Sequence, residues 1–269
     1  MNWTRDSRSG YSLERLLPVL LGGLVLVYFA VPFLAFFTRT GVDGVVSGLS
    51  TPEARRAIRN SLLTAPVSTA VATLLGVPLG YLLARSSFRG KRLVEAVVVL
   101  PLVVPPLVGG TMILTAVGRF TPVGSAAYSV GVPLTDSLVG VVLAQTFVAA
   151  PFVIVTARAG FGAVDERLEQ ASRSLGHGPL ATFWHVSLPL AGRAILAGVV
   201  LTFARAIGEF GATRIVAYTP QTAPTRIGVE YRRAGIDAVV PLALALLVVT
   251  LVVLMTVLRL GQTPGVDPP

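Results

Sequence analysis

Residues 168–194 read LEQASRSLGHGPLATFWHVSLPLAGRA, the longest polar interval in a chain that is otherwise mostly apolar. The interval is informative because of what flanks it. The whole chain of 269 residues is 53% hydrophobic and only 13% charged, with a mean hydropathy of +0.76. A typical soluble domain carries about 25% charged residues, so this balance predicts a membrane protein. Apolar runs fall at 16–37, 60–84, 93–118, 137–157 and 238–258, each meeting the roughly 20 residues that a spanning helix requires. A sixth, 194–218, qualifies if it accommodates Arg205, Glu209 and Arg214. The expectation is an all-α polytopic membrane protein, one domain over 1–269 with about six transmembrane helices, and a polar loop at 158–193. The first run is too long and too free of charge for the apolar region of a signal peptide, and is read as a retained helix.

Basic residues beside the spans set the expected orientation. Arg5, Arg8, Arg15, the dense loop RSSFRGKR (85–92), Arg158, Arg167, Arg173, Arg193 and Arg259 fall on one side, predicting cytoplasmic N- and C-termini. Arg55, Arg56 and Arg59 on the other side make the bias modest. The formal charge of +9 accompanies no basic soluble domain. Lipid phosphates are therefore the expected partner of these arginines, and nucleic acid is not. With no cysteine, disulfides and thiolate metal sites are excluded.

Enzyme chemistry is nearly absent. Only His177 and His185 occur, without a second metal ligand at helical spacing, and there is no G-x-S-x-G elbow. A phosphate-cradling P-loop needs Gly-Lys followed by Ser or Thr, but the single lysine, Lys91, is followed by Arg92. The chain is therefore expected to lack catalytic residues, cofactors and a nucleotide site of its own. Prolines enter most spans, densest in LPLVVPPLVGG at Pro101, Pro105 and Pro106, followed by Gly109 and Gly110. Proline removes a backbone donor and kinks a helix, so the third span is expected to be broken or closely packed.

Within the quoted interval, Leu168, Ala171 and Leu175 fall at i, i+3 and i+7 on one helical face, with Glu166, Arg167, Glu169, Gln170 and Arg173 elsewhere. Gly176 terminates that helix, and Gly178-Pro179 opens a second short one. The result is a helix–turn–helix whose narrow apolar stripe is too thin for strong membrane binding and suits a protein groove better.

Glu169, Ala171 and Gly176, then Val186, Leu188 and Pro189 after nine intervening residues, resemble the E-A-A, glycine, I-x-L-P signature of permease subunits of ATP-binding-cassette importers. Gln170 and Val186 depart from that pattern. NSLLTAPVSTAVATLLGVPLGYLLAR (60–85), LPLVVPPLVGG (100–110) and TFARAIGEFGAT (202–213) resemble the second, third and fifth spans of molybdate and tungstate permeases, with sulfate permeases further off. The resemblance implies a type I ABC importer permease fold in the prokaryotic cell membrane. It also implies a homodimer, two copies of a separate ABC ATPase subunit and an extracytoplasmic oxyanion-binding protein. The polar loop then becomes the ATPase-coupling element. An ion-coupled secondary transporter is the competing class, but neither an inverted repeat nor span acids beyond Glu95 and Glu209 are visible.

Arg205 and Glu209 stand four residues apart in the fifth span, where a lone charge costs at least about 2.5 kcal/mol. Together with Thr213 they are candidates for the pathway or gate. The alternative is a neutralised pair that bolts this span to a neighbour, such as the fourth with its Gln145 and Thr146.

Overall fold

The computed structural model describes residues 13–39 and 41–261; Arg5 and Arg8 lie outside that range. In chain order the helices are α1 (Leu13–Phe37), α2 (Val42–Ser50), α3 (Pro52–Arg85), α4 (Lys91–Val103), α5 (Pro106–Val117), α6 (Pro122–Ser129) and α7 (Leu138–Ala163). They continue with α8 (Glu166–Ser174), α9 (Pro179–Thr182), a π turn (Phe183–Ser187), α10 (Leu188–Ile207), α11 (Gly211–Val216), α12 (Ala223–Ala234) and α13 (Ile236–Gly261). Five helical stretches are long and apolar enough to cross a membrane: 16–37, 52–85, 138–163, 179–207 and 236–253. No strand occurs among the described residues. The chain is an all-α multi-pass membrane protein.

The bundle is organised around α3, α7 and α10, and small residues let these helices approach closely. Ala65, Ala149, Ala157 and Ala206 are completely buried between them. A side chain at Gly80 would place its Cβ 2.9 Å from Ala157 Cβ and 3.0 Å from the backbone nitrogen of Arg158. Gly76 faces Val153 and Ile154 in the same way, Gly160 faces Ala191 and Ala194, and Gly198 faces Val153 and Thr156. Lipid tails are as apolar as leucine, so the hydrophobic effect does little to bring spanning helices together. Close packing of small residues supplies the attraction instead.

Two of the expected spans are broken. In the third, Val104 and Pro105 separate α4 from α5, which opens on Pro106, as the proline cluster predicts. The fifth was expected to be continuous over 194–218, but α10 starts earlier, at Leu188, and stops at Ile207. Gly208 to Phe210 leave helical geometry, and α11 resumes at Gly211. The break is tolerated because Glu209 accepts the Ala212 N–H at 2.7 Å, supplying a partner that the missing turn would have provided. The half-helices α5 and α11 then pack backbone to backbone: a Cβ at Gly110 would lie 2.8 Å from Ala212 Cα, and one at Gly211 would lie 2.9 Å from Pro106 Cβ.

At the end of the bundle away from the polar loop, a Thr222/Thr225 capping box starts the amphipathic helix α12. Asn60 donates to Gln221 O and Ser61 accepts the Ala223 N–H, both at 2.8 Å, so α12 is fastened to α3. Helix α1 stands apart. None of residues 16–37 is buried, although the Arg39–Asp237 ion pair at 2.6 Å ties the segment after it to α13.

Gly80→Val should cost about 1–3 kcal/mol, because backbone of α7 cannot retreat without opening the bundle. The same substitution at Gly162, with open space around it, should change the melting temperature in detergent far less. Equal melting temperatures for the two variants would refute this packing account.

Candidate coupling loop and buried ion pair

The polar interval folds as two short helices joined by a tight turn. Asp165 caps α8 by accepting the Arg167 N–H at 2.9 Å. The helix ends at Gly176, whose φ of +89° lies in the left-handed region that only glycine enters without strain. Pro179 then opens α9. Pro189 shapes the exit: it has no N–H for a bond to His185 O, and its ring would strike that carbonyl in a regular helix. The chain widens into the π turn, where the Leu188 N–H reaches back to Phe183 O, before α10 proceeds.

This geometry sorts the residues sharply. Leu168, Ala171 and Leu175 all face outward, Leu175 at 81% exposure, with Leu180 and Trp184 also exposed nearby. Of the polar residues of α8, only Glu169 and Ser172 turn inward. Glu169 is 5% exposed and accepts from Arg85 Nε at 3.0 Å and from Ser187 Oγ at 2.8 Å. Arg85 also donates to Val164 O at 2.8 Å and lies 3.7 Å from Glu166. Ser172 Oγ lies 3.2 Å from both Thr182 Oγ1 and His177 Nδ1, which fastens α8 to α9. Of the sequence-derived coupling residues, Ala171, Gly176 and Pro189 are therefore exposed, Val186 and Leu188 are half-buried, and Glu169 is an internal anchor. Arg85 was not legible as part of this set, since nothing distinguishes it from the other basic residues of RSSFRGKR. The two histidine rings stack at 6.4 Å, and no metal-capable cluster occurs among the described residues.

Arg205 and Glu209 pair as their spacing suggested, although Glu209 lies beyond the end of α10 rather than on its face. Arg205 Nη1 is 2.5 Å from Glu209 Oε2. Glu209 is 1% exposed and uses its other oxygen to hold the start of α11. The carboxylate thus neutralises a charge and closes a gap in the helix. Gln145, considered as a partner for this pair, instead accepts the Ser68 hydroxyl at 2.9 Å, tying α7 to α3. Thr213 is completely buried on α11, and its hydroxyl has no hydrogen-bond partner among the described residues. Arg214 lies over the rings of Phe210 and Tyr218, at 5.8 and 5.6 Å.

A multi-pass bundle with two broken helices packed against each other and an exposed apolar stripe on a polar loop fits a membrane transport component. Residues 76–265 match the family described as the inner membrane component of binding-protein-dependent transport systems, and the chain belongs to that family. A probable molybdenum ABC transporter permease of Haloferax volcanii is 44% identical over 271 residues, 98% of this chain and 99% of the relative. A molybdate/tungstate transport system permease of Pyrococcus abyssi is 40% identical over 233 residues, 86% and 89% of the two chains. Among solved structures, a bacterial ABC transporter involved in the import of the acidic polysaccharide alginate has a TM-score of 0.71 at 17% identity. That alignment covers 92% of this chain and 93% of the other, a likeness of fold.

Removing one member of the Arg205–Glu209 pair should be more damaging than removing both, because it leaves a charge without its partner. Arg205→Gln should be the worse single change. It strands a carboxylate at 1% exposure, whereas Glu209→Gln frees an arginine that is 28% exposed and can reach a wetter surface. The loss should fall toward the low end of the roughly 3–5 kcal/mol typical of a broken buried pair. Yield of folded protein on size-exclusion chromatography should order as parent, double variant, Glu209→Gln, Arg205→Gln. Single variants that fold as well as the parent would sink the pairing account.

Proposed function

We propose that the chain is the permease subunit of an ATP-driven importer for a tetrahedral oxyanion, molybdate or tungstate, and that it forms the translocation pathway. The observation that carries this reading is the exposed apolar stripe of α8: only Glu169 and Ser172 turn into the protein, leaving Leu168, Ala171 and Leu175 at the surface. Such a face suits the groove of a separate ATPase subunit, and the lack of a P-loop in this chain requires one. The names and full-length coverage of the molybdate and tungstate relatives support the substrate class.

In this reading the chain crosses the membrane six times, with α4 and α5 together as the third crossing. Both termini and the 158–193 loop are cytoplasmic, and α12 lies on the outer face toward an oxyanion-binding protein. Two copies of the chain assemble with two ATPase subunits. The unburied helix α1 supports a homodimer, since a second copy would give it a surface to pack on. Arg205, Glu209 and Thr213 belong to the gate at the break between α10 and α11, with the ion pair fixing its shape. A lone carboxylate would repel a dianion, so Glu209 is not a ligand.

The test is uptake of labelled molybdate into proteoliposomes containing this chain and its ATPase, with the binding protein added outside. ATP-dependent uptake, blocked by excess tungstate and much less by sulfate, is the expected result. Uptake driven by a proton or sodium gradient without the ATPase would overturn it. Gly176→Val should reduce uptake at least tenfold while the ATPase still co-purifies, because strain at φ +89° rotates α9 out of its docking pose. Unchanged uptake in that variant would exclude the turn from coupling.

A further inference from the structure

We infer that Arg85 is a positioning residue that locks the coupling loop to α3, so that the second span and the loop move as one rigid lever during transport. The inference rests on the coupling role proposed for that loop. Arg85 is the last residue of α3, and its side chain is only 11% exposed, where a bare cation would be costly. One side chain there touches two elements: Glu169 on α8 at 3.0 Å, and the carbonyl of Val164 just after α7 at 2.8 Å. Ser187, in the π turn that leads into α10, donates to the same Glu169 oxygen at 2.8 Å. The carboxylate of Glu169 is therefore a junction for α3, α8 and the turn that leads into α10.

A junction of this kind has a mechanical consequence. The planar guanidinium fixes angles as well as distances, because its N–H groups form a rigid fork. A force applied to α8 from outside is passed to α3 through the directed Glu169–Arg85 hydrogen bond, with the guanidinium held in orientation by its second bond to Val164 O. Helix α3 packs along most of α7 by way of Gly76 and Gly80, so a shift of its end repositions the centre of the bundle. The lever thus runs from the exposed Leu168 and Leu175, through Glu169 and Arg85, into the helices that line the break.

Arg85→Gln keeps the size and polarity of the side chain but removes the charge and the fork. In the purified complex with its ATPase, amide hydrogen exchange over 166–175 should accelerate at least tenfold, while exchange over 188–207 stays near the parent value. In proteoliposomes, the number of ATP molecules hydrolysed per molybdate imported should rise at least tenfold, with co-purification of the ATPase retained. A merely structural loss would lower hydrolysis and import in proportion and leave that ratio unchanged, which would overturn the lever. Unchanged exchange in α8 would overturn it as well. Adding Glu169→Gln to Arg85→Gln should change the ratio little further, since both act through one junction; additive effects would refute the shared path. If the parent complex imports no molybdate, the substrate reading fails, and the exchange comparison still decides whether Arg85 holds the loop.

Discussion

The closeness of α3, α7 and α10 is the constraint on which the rest of the structure depends. Inside a bilayer, helices gain little by hiding apolar surface from one another, so the bundle is held by contact at short range. Glycine and alanine at the crossing points set that range. Once those three helices are fixed, the remaining spans have places to attach: α5 and α11 lie against the first half of α7, and α13 lies across α10 and α3. The buried polar groups then become affordable. Ser68 meets Gln145 and Thr202 meets Ala149 O only because the backbones come near enough for short side chains to reach.

The same closeness explains how the chain can carry irregular backbone at membrane depth. Each break exposes peptide groups that lipid cannot satisfy. The proline break between α4 and α5 limits the loss because proline has no N–H to leave unpaired. The break between α10 and α11 is closed by a side chain, the Glu209 carboxylate. That carboxylate needs a counter-charge in such a place, and Arg205 supplies it one turn earlier. A break built this way is stiff in charge balance but free in backbone direction, a combination suited to two alternating packings.

Much of the fold was legible in the sequence because its signals are long. Runs of about 20 apolar residues, a cluster of prolines and a Gly-x-Gly-Pro turn report on local physics, and local physics decided those elements. The fifth span misled for a definite reason. Hydropathy reads the string from 194 to 218 as one interval, whereas its continuity turned on whether Glu209 would spend its oxygen on the ladder or on a turn. The apolar face of α8 was legible as a stripe, and its outward orientation followed from burial of Glu169 and Ser172 on another side of the helix. Arg85 could not be read from the sequence. Its role arises from meeting Glu169, 84 residues away, and Val164, and only the packing of α3 against α7 creates that encounter.

The π turn at Phe183–Ser187 has a consequence for how the chain can vary. A π turn holds one residue more than an α-helix needs over the same rise, so the stretch acts as a phase setting between the short loop helices and α10. Inserting one further residue, which the turn cannot absorb a second time, would turn everything downstream by roughly 100° relative to α8, since an α-helix advances 3.6 residues per turn. Gly198 would leave Val153, and Ser187 would leave Glu169. Point changes in this segment can be absorbed one side chain at a time. A change in its length is read by the whole bundle at once, and for this protein the count of residues between Gly176 and Leu188 is as much a part of the design as their identity.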